Sequence, residues 1–107
     1  MASISIDLGN GVRAVCDNPP PEEVLSQKNA EYIIKDMCDY ICEGHNLASV
    51  HSHVFGCKTF NARMSFDDKG RSVVKIKTTH DGKPLKFQFA LVVDPKMLQR
   101  RRQDSTQ

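Results

Sequence analysis

The chain has 107 residues, of which 39% are hydrophobic and 26% charged, an ordinary composition for a globular domain. No stretch reaches the roughly 18 apolar residues of a membrane span. The start, Met1-Ala2-Ser3-Ile4-Ser5, has neither the basic nor the apolar region of a secretory signal, so the expected setting is the cytoplasm or nucleus. The formal net charge of +2 conceals a split. Residues 1–55 carry three Lys/Arg against eight Asp/Glu, a net −5, and residues 56–107 carry twelve against five, a net +7. A basic half of this kind points to a polyanion partner; the plainer explanation is an acidic helix lying beside a basic sheet in one molecule.

Residues 3–16 predict a β-hairpin, because Ile4, Ile6 and Leu8 alternate with Ser3, Ser5 and Asp7 around the turn Gly9-Asn10-Gly11. A two-residue loop at Asn10-Gly11 would pair Leu8 with Arg13. A three-residue loop pairs Leu8 with Val12, Ile6 with Ala14 and Ile4 with Cys16, which keeps the apolar face together and is the preferred register. Asp17-Asn18-Pro19-Pro20-Pro21 ends the strand. Proline is tolerated in a first helical turn, and Glu22 and Glu23 suit the positive end of a helix dipole. Ser26 offers a second helix start, which would leave residues 20–25 as a separate turn. Ala30, Ile33, Ile34, Met37, Cys38, Ile41 and Cys42 then recur at helical spacing, with Gly44 as the stop.

Residues 46–57 are ambiguous between a short strand and an ordered loop, since Val50-His51-Ser52-His53-Val54-Phe55 alternates only weakly. Residues 58–93 predict a three-stranded antiparallel meander. Asp81-Gly82 is a two-residue hairpin turn, pairing Thr78 with Leu85, Ile76 with Phe87 and Val74 with Phe89. A five-residue loop around Asp67-Asp68-Lys69-Gly70 keeps Phe66 opposite Ser72 and Met64 opposite Val74. Asp94-Pro95 resembles an N-cap and first helical residue, so a short C-terminal helix is expected through Met97 and Leu98. A polar tail over 100–107 follows. The expected fold is therefore α+β: an antiparallel sheet, made of the hairpin plus the meander, packed on one long amphipathic helix. Residues 1–99 would form the domain.

The same registers fix the solvent face of the meander. Arg63 falls opposite Lys75 and Lys77 opposite Lys86, with Asn61 and Gln88 beside them. Like charges directly opposite on a sheet are destabilising. An anionic ligand would relieve the repulsion; so would the acidic helix of another subunit, and exposed lysines also discourage edge pairing. The aromatic residues Phe60, Phe66, Phe87 and Phe89 fall on the apolar side, so a base-stacking platform is not expected and backbone contact to structured or double-stranded RNA is favoured. The candidate contacts are Arg63, Lys75, Lys77 and Lys86, helped by Asn61 and Gln88, with Arg100, Arg101 and Arg102 adding charge. The competing expectation is a protein-interaction adaptor, forming a homodimer or small complex through complementary acidic and basic faces.

Cys38, Cys42, His45, His51, His53 and Cys57 contain enough donors for tetrahedral zinc, but their spacing matches no standard finger. Cys38 and Cys42 also lie on the apolar helical stripe, where a thiol packs as a small hydrophobe. Cys57 with His51 or His53 lacks the third orienting group and oxyanion site that nucleophilic catalysis needs. Neither enzyme activity nor a cofactor is expected. The order helix, strand, strand, strand, helix is similar to that of double-stranded-RNA-binding domains and of the small subunits of the signal recognition particle Alu domain. The stretch Asp94-Pro95-Lys96-Met97-Leu98-Gln99 departs from the basic start of the last helix in the former. The N-terminal hairpin lies outside both patterns, so no residue roles are transferred.

Overall fold

The computed structural model describes residues 3–46 and 48–93. Strands β1 (Ile4–Gly9) and β2 (Val12–Cys16) form the hairpin, and α1 spans Gln27–Cys42. Strands β3 (His51–Phe55), β4 (Lys58–Phe66), β5 (Ser72–His80) and β6 (Lys83–Val93) form a meander. All six strands join one antiparallel sheet in the order β1-β2-β6-β5-β4-β3. The expected α+β class and antiparallel sheet are present. β3 resolves the ambiguous segment as a strand, and the hairpin joins the meander through β2 and β6. The expected C-terminal helix from Asp94 and the tail with Arg100, Arg101 and Arg102 lie outside the described residues.

The hairpin corrects the preferred loop. Ile6 pairs with Ala14 and Ile4 with Cys16 as expected, yet Gly9, not Leu8, faces Val12. Asn10 (φ 55°) and Gly11 (φ 78°) form a two-residue turn, and the register shifts between Asp7 and Gly9. Two positive φ values in succession give the turn whose twist matches the strands. The odd residue is then absorbed within β1 as a bulge, with Gly9 itself at φ 81°. Asp7 Oδ1 accepts the Gly9 N–H at 2.9 Å and steadies the bend.

The helix starts late. Pro21 C=O accepts the Val24 and Leu25 N–H groups at 2.8 and 3.1 Å, closing a separate turn that buries both side chains. Ser26 Oγ accepts the Asn29 N–H at 3.2 Å as the N-cap. Gly44, at φ 85°, donates to the Ile41 carbonyl and ends the helix in the left-handed conformation that favours glycine. Ala30, Ile33, Ile34 and Met37 are fully buried against Ile6, Ala14, Phe60, Ala62, Val74, Ile76 and Phe89. Cover fails in the last turn: Cys38 and Ile41 are partly buried and Cys42 is exposed.

A helix of 16 residues is about 24 Å long, too short to cover six strands. It packs near β1, β3 and β4, so Leu85, Phe87 and Leu91 of the long β6 are only partly buried and Phe66 is exposed. On the opposite face Val73 is fully buried beside Ser65 and Ala90, with Val15 next in line. No helix among the described residues is long and apolar enough to cross a membrane.

Phe60→Ala removes a ring buried at the centre of the helix–sheet contact and is expected to cost about 3–5 kcal/mol. Phe66→Ala, at an exposed strand end, should change stability by less than about 0.5 kcal/mol. Urea unfolding of the two variants checks both values.

Candidate nucleic-acid interface

Strand alternation places Asn61 and Arg63 of β4, Lys75 and Lys77 of β5, and Lys86 and Gln88 of β6 on the sheet face away from α1. The registers bring them into two rows across three strands. Arg63 faces Lys75, which faces Gln88; Asn61 faces Lys77, which faces Lys86. Every member is exposed except Lys75, which is half-buried. Neighbouring strands lie about 4.8 Å apart, so each like-charged pair repels by up to about 1 kcal/mol in water. Among the described residues, the only Arg or Lys within 4.0 Å of a carboxylate is Arg71, whose Nε lies 2.8 Å from Asp67 Oδ2. The cations of the two rows therefore have no intramolecular counter-ion there.

Two further features of this face depend on sheet order. Ser52 of β3 extends the second row, and its hydroxyl donates to Asn61 Oδ1 at 2.8 Å. Arg13 of β2 faces Val92 on one side and Asp7 on the other. It is a further strand-borne contributor to the polar surface that sequence reasoning missed, because nothing local in the hairpin says which strand it will pair with. Between Arg13 and the two basic rows lies the patch of Val15, Ala90 and Val73. No aromatic side chain projects from the strands on this face.

Asp67 organises the turn before β5. Its Oδ1 accepts the Lys69 and Arg71 N–H groups at 2.9 and 2.8 Å. The Arg71 backbone bond is the main reason its carboxyl is held below the usual range. This aspartate is a turn former, as its position predicts.

The six Cys and His residues do not converge. Cys42 and Cys57 are exposed thiols and Cys38 packs partly against the core. His45 stacks on Tyr40 with ring centres 4.2 Å apart. His51 and His53 instead approach Asp36 of α1, at 4.0 and 3.6 Å from its Oδ2. Among the described residues no group of three His, Cys, Asp or Glu side chains is arranged to hold a metal ion. His53 is only 7% exposed, its Nε2 has no hydrogen-bond partner among the described residues, and Tyr32 meets it edge-on at 5.8 Å. Burial pushes its pKa down; Asp36 partly opposes this and His51 adds to it.

Comparison with family models, with characterised proteins and with solved structures finds no match.

Because folding lowers the His53 pKa, the unfolded chain takes up a proton that the native state resists. Its contribution to stability is complete above the unfolded value of about 6.5 and is lost as pH falls below it. His53→Phe should therefore lose less stability than the native chain between pH 7.5 and 5. Equal losses in paired urea titrations would show that His53 titrates normally.

Proposed function

We propose that this chain is a non-enzymatic RNA-binding or ribonucleoprotein-associated domain that contacts phosphate through the outer face of its sheet. The supporting observation is the double row, two directly opposed like-charged pairs with no counter-ion among the described residues. Arg63, Lys75, Lys77 and Lys86 contact phosphate oxygens, and Asn61 and Gln88 add hydrogen bonds. Arg100, Arg101 and Arg102 add charge from the segment that follows. A face of cations and amides without aromatic rings suits the backbone of structured or double-stranded RNA better than unstacked bases. The competing reading is an adaptor whose acidic helix meets the basic face of a second copy. It draws on the exposed Glu22, Glu23, Asp39 and Glu43 around α1.

Binding to labelled duplex RNA across a salt series tests the reading. Affinity should fall steeply with salt, as counter-ion release requires. Lys77→Glu should weaken binding and flatten the slope by about one. The same change replaces a repulsive cross-strand pair with an attractive one, so it should raise stability by about 0.2–1 kcal/mol. Opposite signs for affinity and stability distinguish a binding role from a structural one. Absence of RNA binding, with a dimer that dissociates at high salt, would favour the adaptor.

A further inference from the structure

We propose that this face distinguishes RNA from DNA, and that the discriminating element is the Ser52–Asn61 pair, which receives a ribose 2′-hydroxyl. The inference rests on the phosphate-binding reading and names what that site recognises. It begins with β3, whose pairing sets Ser52 directly across from Asn61, and Asn61 directly across from Lys77. The Ser52 hydroxyl hydrogen is committed to Asn61 Oδ1 at 2.8 Å. What remains outward is the lone pairs of Ser52 Oγ, which accept, and the Asn61 Nδ2 hydrogens, which donate. Turning the amide over preserves the pattern: Nδ2 then donates to Ser52 Oγ, leaving a carbonyl acceptor beside a hydroxyl donor. Either way an acceptor and a donor stand side by side on an exposed surface.

A ribose 2′-hydroxyl is both donor and acceptor, and it is the group that separates RNA from DNA. It sits on the carbon next to the one bearing the 3′-phosphate. The protein mirrors that adjacency, with the cation of Lys77 one strand away from the amide of Asn61 and Lys86 one strand beyond. Phosphate held by the lysines brings the hydroxyl to the Ser52–Asn61 pair. A deoxyribose placed there makes neither bond and leaves the amide facing a carbon.

The test compares three duplexes of one sequence: RNA, RNA carrying 2′-fluoro groups, and DNA. The fluoro duplex keeps the RNA helix form but lacks the hydroxyl donor. The native chain should bind RNA at least about fivefold more tightly than either of the others, the worth of one ordinary hydrogen bond. Ser52→Ala with Asn61→Ala should bring RNA down to the affinity of the fluoro duplex while the salt slope is unchanged. Lys77→Glu should weaken all three together. Equal native affinity for RNA and DNA overturns the inference and leaves the phosphate reading standing. Equal affinity for RNA and fluoro RNA, both above DNA, overturns it in favour of helix shape. Binding to none overturns both. The native comparison decides these outcomes even where the double variant fails to fold.

Discussion

The left-handed backbone at Asp81 (φ 53°) and Gly82 (φ 76°) fixes the pairing of β5 with β6, and both faces of the sheet depend on that pairing. With two residues in the turn, Ile76 meets Phe87 and Val74 meets Phe89 on the side of the helix. The same count sets Lys77 against Lys86 and Lys75 against Gln88 on the other side. A slip by one residue would exchange the two sets, driving lysines into the core and phenylalanines into water. The packed core and the row of opposed cations are thus two consequences of one loop length. The apolar set supplies the stronger preference, and the repulsion between cations is carried along with it.

That coupling explains which parts of the molecule could be read from the residues. In β4, β5 and β6 the turn chemistry and the apolar alternation agree, so the register and the two rows of Arg63, Lys75, Lys77, Lys86, Asn61 and Gln88 follow from local pattern. In the first hairpin the two signals conflict. Asn10-Gly11 asks for a tight turn, while Ile4, Ile6, Ala14 and Cys16 ask for a register that a plain tight turn cannot supply. The bulge before Gly9 satisfies both, and such a solution is not visible in either signal alone. His51–Phe55 carries little alternation because its outward residues are Ser52 and the exposed Val54. Its strand character comes from pairing with β4, which is tertiary information. Arg13 and the buried Val73 were hidden for a related reason, since their surroundings are set by β2 lying against β6.

Natural sequences tend to agree with their folds at every level, and departures concentrate where something other than stability is served. Here the core follows the rule closely, with Phe60, Phe89, Ile33, Ile34, Met37 and Ile76 fully buried. The departures are grouped elsewhere. One is the face of opposed cations. Another is His53, an imidazole enclosed by Tyr32 and the Asp36 side of the helix, with no hydrogen-bond partner for its Nε2 among the described residues. These two lie on opposite sides of the sheet and share β3, which presents Ser52 outward and His51 and His53 inward. A five-residue edge strand thereby links the helix surface to the outer face.

The bulge in β1 also determines where the sheet ends. An edge strand offers unpaired backbone to any chain that can lie beside it, and a flat one invites unlimited stacking into fibres. β1 is bent at Gly9, and the Gln27 side chain donates to the Ser5 carbonyl at 3.2 Å, occupying an acceptor that a seventh strand would need. At the far edge, β3 is short and begins with two inward-facing histidines. Neither border is a good template for polymerisation, so the sheet can remain six strands wide while Arg63, Lys77 and Lys86 stay exposed on its outer face.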